Sequence, residues 1–270
     1  MTDVLETARS VRIDAGAPWR WLGAGVQDTL AAPVYAIGYG VFFTAIGALL
    51  TVGLARMGIV SASPAAIGAF MLIGPLMAVG LYEISRRLRA GEPINGPAIL
   101  FVKTASPSQI AFIGVIVMVA FLAWARLAML LFALFAAGED LTGGDFARFV
   151  LGTQGGLTML AVGTAIGGVI AFGIFLLTAF SIPMLMDKEV DAVTAVRANV
   201  RLFQNNPKAM LLWAGVVTGL IVLGAAAYGL GVAIVFPVLG CATWRGYADI
   251  FRGEAPIAKQ GVTVGASTDA

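Results

Sequence analysis

The sequence of 270 residues holds no histidine and a single cysteine, Cys241. Ser–His and Cys–His nucleophilic pairs, His-ligated haem, CxxC zinc sites and disulfides within the chain are therefore excluded. The carboxylates left for acid–base work are few. Glu83, Asp187 and Asp191 each stand at or just past the end of an apolar run. Arg126 and Arg245 are the cations placed where a charge is costly. Arg126 sits inside an apolar run beside Trp124, and Glu139, Asp140 and Asp145 follow it as candidate partners. The other reading of Arg126 is a guanidinium held out to a ligand or a lipid phosphate. No Asp, Glu, Lys, Asn or Gln falls near the middle of any apolar run. A proton- or sodium-coupled carrier would need such a group, and an intramembrane hydrolase would need an acid, base or metal there. Cys241, amid apolar neighbours, reads as a small buried hydrophobe. No cofactor is implied.

The elements that must position these residues follow from composition. Hydrophobic residues make up 59% and charged residues 12% of the chain, with a mean hydropathy of +0.92. Soluble proteins average about 45–50% and about 25%. Such a chain cannot clothe itself in polar groups, so lipid must be part of its solvent. A net charge of +2 offers no field for a phosphate backbone, which argues against nucleic acid as a partner. A span needs about 20 apolar residues. Six runs qualify: Pro33–Ala55, Pro64–Tyr82, Pro107–Ala137, Leu157–Met186, Pro207–Ala227 and Leu230–Tyr247. Four open on proline, whose missing N–H costs nothing in a first helical turn. Residues 1–32 carry four acids and no apolar core of a signal peptide, so the first run is expected to be an uncleaved anchor. The reading is all-α: a polytopic bundle of six membrane helices in three hairpins, spanning 19–251, with a cytoplasmic tail over 1–18 and a disordered one over 252–270.

Lys and Arg orient the bundle. Arg9, Arg12 and Arg20 precede the first run. Arg86, Arg87, Arg89 and Lys103 separate the second from the third. Lys188, Arg197, Arg201 and Lys208 separate the fourth from the fifth, and Arg245, Arg252 and Lys259 close the chain. These fourteen share one side, and the other has Arg56 and Arg148. The positive-inside rule puts both termini in the cytoplasm.

The hairpins share a layout. Each starts with an amphipathic stretch, Trp19–Leu30, Pro97–Thr104 or Asp191–Phe203, suited to the headgroup plane. Leu22, Val26 and Leu30 form the apolar stripe of the first; Val193, Val196, Val200 and Phe203 form that of the third. The second helix of each hairpin has an internal proline, Pro75, Pro183 or Pro237. Eight residues later stands a charge: Glu83, Asp191 or Arg245. Prolines there kink helices. They mark a shared cavity or packing point, or merely shape the bundle. Gly163-x-x-x-Gly167 and Gly215-x-x-x-Gly219 supply close packing, within the chain or across a homodimer.

Five blocks carry a family resemblance: LIGPLMAVGLYEISRRLRAGEP (72–93), FLAWARLAMLLFAL (121–134), SIPMLMDKEVDAVTAVRANV (181–200), NNPKAMLLWA (205–214) and VFPVLGCATWRGYADI (235–250). In this order they resemble the bacterial integral-membrane family known as domain of unknown function 2189, over about residues 19–251. The resemblance implies a six-span protein of the bacterial inner membrane with no established activity, and it transfers no catalytic residue. The sequence thus points to a non-catalytic membrane scaffold that engages lipids, other membrane proteins or a second copy. The alternative is a permease or channel-like carrier of a small or lipidic solute. An enzyme would have only Glu83, Asp187 and Asp191 to work with.

Overall fold

The computed structural model describes residues 2–56, 73–136, 143–226 and 230–254. Among these residues every regular element is a helix: α1 (Thr2–Ser10), α2 (Ala17–Ala31), α3 (Pro33–Arg56), α4 (Gly74–Met77), α5 (Val79–Ala90), α6 (Gly96–Leu100), α7 (Pro107–Phe135), α8 (Gly143–Gly152), α9 (Gln154–Thr178), α10 (Ser181–Asp187), α11 (Ala192–Asn205), α12 (Pro207–Ala226) and α13 (Val232–Phe251). Four helical stretches are long and apolar enough to cross a membrane: one within α3, then α7, α9 continued through α10, and α12. Most of the expected second run, Pro64–Tyr82, lies outside the described residues. The fourth run is not one unbroken helix. It is interrupted at Ala179 and Phe180, before α10, and the second run likewise breaks at Ala78, between α4 and α5. Pro75 and Pro183 lie in the first turns of α4 and α10, beside these breaks, whereas Pro237 is carried inside the continuous α13.

Three spans enter through the same corner. Ala32, Ser106 and Asn206 each precede the proline that opens α3, α7 or α12. Their backbones are nearly superposable, at φ −132, −130 and −135° with ψ 56, 65 and 51°. A residue before proline is driven out of the helical region, so the chain turns there. Each corner residue is buried, and its carbonyl accepts the first helical hydrogen bond, from Ala36, Ile110 or Met210. Two of the corners also hydrogen-bond the segment that leads into the next amphipathic stretch. Ser106 Oγ donates to the carbonyl of Lys188 and accepts from the Val190 amide. Asn206 accepts from the Ile13 amide at 2.8 Å and donates to the Val11 carbonyl. Ala32 has no polar side chain, and a cavity of about 360 Å³ lies between its corner and Glu92 and Ile94. The second corner thus binds the third lead-in and the third corner the first, while the first corner shares a cavity wall with the second lead-in.

Helix α13 is the hub. Twelve of its 20 residues are buried, and α2, α3, α5 and α12 all pack on it. Gly25 makes the α2 contact possible: a Cβ there would stand 2.5 Å from the Val238 carbonyl and 2.6 Å from Ala242 Cβ. Trp21, fully buried, meets Phe180 and Trp213 edge-on, each at 5.7 Å, and lies against Gly246. The outer surface is apolar. On α2 the buried face is Trp21, Ala24, Gly25, Asp28 and Thr29, while Trp19, Val26 and Leu30 point outward. On α11, small Ala195 and Ala198 are buried, and Val193 is exposed. Leu100 and Phe101 are exposed at the end of the middle stretch. Alanine and glycine on these helices pack against protein beside the buried Trp21 and Leu202, and small residues of this kind let membrane helices approach closely. Of the glycine pairs, a Cβ at Gly167 would stand 2.9 Å from the Trp124 ring, but Gly215 and Gly219 face open space and are not packing points within the described chain.

Candidate functional site

The charges converge where α2, α5 and α13 meet. Asp28, on the small-residue face of α2, is 3% exposed. Its carboxylate accepts from Arg245 Nε at 2.6 Å, from Arg245 Nη2, and from the Ser85 hydroxyl. One site thus joins residues from the first amphipathic helix, the second helix of the first hairpin and the hub. Three donors on one carboxylate satisfy a charge that burial would otherwise penalise. Trp21 Nε1 donates to Asp249 Oδ2 at 2.8 Å, one helical turn further along α13.

Around this centre lies a ring of paired arginines. Glu83, 4% exposed, accepts from Arg86 and from Arg87 at 2.6–2.8 Å. Arg86 also reaches Glu92. The hydrogen bonds to Glu83 and Glu92 push the Arg86 guanidinium further up, and Arg86 in turn holds the Glu92 carboxyl below its usual value. Helices α5 and α13 end in the same device. Gly91 and Gly253 both sit at φ 66°, each sixteen residues after its helix-region proline, Pro75 or Pro237. The left-handed turn, which glycine takes without strain, brings the following glutamate to the arginines. Glu92 meets Arg86, and Glu254 meets Arg252 at 2.7 Å and Arg89 at 3.3 Å. Arg252 also donates to Asp187, whose other oxygen accepts from the Tyr247 hydroxyl. Between the ends of α5 and α13 is an open cavity of about 540 Å³. Arg86, Arg89, Arg245, Arg252, Trp244 and Glu254 are among its walls.

The structure gathers Glu83, Asp187 and Arg245 into this cluster. It does not bring Asp191 there. Asp191 caps α11, accepting from the Thr194 amide at 2.9 Å and the Thr194 hydroxyl at 2.6 Å, and these bonds hold its carboxyl below the ordinary 3.8. Of the three charges at eight-residue spacing, Glu83 and Arg245 share the cluster and Asp191 does not, because the chain leaves helix at Lys188. Arg126 is exposed on α7; Glu139, Asp140 and the Asp145 side chain lie outside the described residues. Cys241 is fully buried near the Leu81 carbonyl. Sequence reasoning passed over Asp28, Ser85, Asp249 and Glu254. Asp28 had a signal: it is the one acid on the Trp21–Ala24–Gly25 face, the face whose small residues mark a close contact.

Residues 62–187 match the family model described as Predicted integral membrane protein (DUF2189). The match agrees with the resemblance read from blocks 72–93 and 121–134 and the start of 181–200. No curated protein and no solved structure matches the chain. With its long apolar helices, the chain is an integral membrane protein of unknown function.

Proposed function

We propose that the protein is a non-catalytic scaffold of the bacterial inner membrane, with six spans in three hairpins, that holds lipids or partner proteins. Both termini face the cytoplasm, as does the arginine-rich end of the bundle. The carrying observation is the fate of the acids. Glu83 is taken up by two arginines, Asp187 by Tyr247 and Arg252, and Asp191 by a helix cap. None is left poised in a cleft to move a proton. Trp19, Val26 and Leu30 on α2, Leu100 and Phe101 at the end of α6, and Val193 on α11 face outward and support an apolar collar at the headgroup level. Alkaline phosphatase fused after Ala270 is expected to be inactive and fusions near Gly143 active; the reverse pattern overturns the orientation. Purification in mild detergent followed by native mass spectrometry is expected to retain lipids or proteins. The carrier reading is favoured by the breaks at Ala78 and Ala179–Phe180, since interrupted helices line solute sites in transporters. A bound polar solute, released by substitution at these breaks, would establish that reading instead.

A further inference from the structure

We propose that the cavity between the ends of α5 and α13 binds a phosphate oxyanion, and that Glu254 is the built-in anion that occupies its place. This deepens the scaffold reading, on which it rests, by naming the chemistry through which a lipid or partner would be held.

The geometry supplies both donors and order. Asp28 lies behind Arg245 and Glu83 behind Arg86, both carboxylates nearly inaccessible, so they fix the guanidinium groups from the rear and leave the cavity walled by cations. Glu254 is the one acid in that wall among the described residues. Arginine presents five donors in a planar fork that fits phosphate bidentately. Arg245 spends Nε and Nη2 on Asp28; Arg89 spends Nε on Glu254; Arg252 spends Nη1 on Asp187 and Nε on Glu254. Among the described residues Nη1 of Arg245, both terminal nitrogens of Arg89 and Nη2 of Arg252 have no acceptor. A volume of about 540 Å³ admits a diphosphate or a phosphodiester headgroup with room for water. Glu254 is held by the Gly253 turn and reaches both Arg89 and Arg252. A ligand phosphate bridging the same two arginines must displace that carboxylate, so Glu254 sets the affinity.

The chemistry is shared by a soluble phosphate compound and by an anionic phospholipid, and the test separates them. Full-length protein in neutral detergent at about 0.15 M salt is titrated with inorganic pyrophosphate by calorimetry. In parallel, native mass spectrometry measures retention of phosphatidylglycerol against diacylglycerol, which has the tails without the phosphate. Binding is expected in at least one arm. Arg89→Gln with Arg252→Gln should weaken it at least about tenfold, the scale of charge-assisted bonds lost. Glu254→Gln should tighten it several-fold, a gain that misfolding cannot produce. Pyrophosphate binding with these responses assigns a soluble ligand. Selective phosphatidylglycerol retention with the same responses, without pyrophosphate binding, assigns a lipid headgroup. No binding in either arm, or binding indifferent to all three substitutions, overturns the proposal. Neither result touches the scaffold reading, which stands or falls on the fusions and on what copurifies.

Discussion

Asp28 and Arg245 stand 217 residues apart in sequence and form a buried two-point ion pair, with Ser85 as third donor to the carboxylate. The pair ties an amphipathic helix near the start of the chain to the hub helix near its end.

Breaking the pair on one side strands a buried charge, which costs about 3–5 kcal/mol. Arg245→Met and Asp28→Leu are therefore each expected to lower the melting temperature strongly in detergent, followed by tryptophan fluorescence. The double variant should recover most of the loss, because no charge is left unpaired. Ser85→Ala should cost about 1 kcal/mol or a little more, as one donor of three. Additive losses in the double variant would show that the two residues act separately.

Close approach of α2 to α13 depends on Gly25. Gly25→Val is expected to destabilise by about 1–3 kcal/mol or more, because the neighbouring atoms are the Val238 carbonyl and Ala242, which cannot yield. Gly23, two residues away, has nothing within 4 Å of where a Cβ would stand. Gly23→Ala should be neutral or gain about 0.5–1 kcal/mol. Equal losses at the two sites would remove the packing explanation.

At the third corner, Asn206 satisfies the backbone of 11–13. Asn206→Ala should cost about 1–3 kcal/mol through the orphaned Ile13 amide. Hydrogen exchange should quicken over residues 2–13, where α1 docks on α11, with little change in α7. Unchanged protection of α1 would mean that packing alone holds it.

Asp191 gives a pH signature. Its folded carboxyl lies below the ordinary 3.8, so its contribution is present above that value and is lost as pH falls through the lower folded one. Asp191→Ala should cost about 0.5–2 kcal/mol at pH 7, as loss of a helix cap. The gap between wild type and variant should narrow progressively in melts taken at pH values falling below the ordinary 3.8. A constant gap would show that the charge of the cap is irrelevant.

The helix starts at Pro33, Pro107 and Pro207 were legible in the sequence to the residue, because proline both opens a helix and bars the residue before it from one. The charged cluster was legible only in part. Glu83, Asp187 and Arg245 stand out as charges at the ends of apolar runs. Asp28 does not, because the eye follows the large residues Leu22, Val26 and Leu30 on α2. In a lipid solvent Val26 and Leu30 turn outward, Leu22 packs partly on the core, and the face made of Ala24 and Gly25 decides the fold. Asp191 was misplaced for a different reason. Spacing along a sequence predicts equivalent positions only while the helix continues, and this one stops at Asp187.

The meeting of corners and lead-ins bears on the order of synthesis. The corner at Ser106 finds its partner when residues 188–190 emerge. The corner at Asn206 instead captures residues 11–13, made long before it. Helix α1 already touches α13, so a short linker between the ends would let the termini be moved to the lead-in near residue 93 or 189. Such circular permutants should insert and fold with the same corners intact.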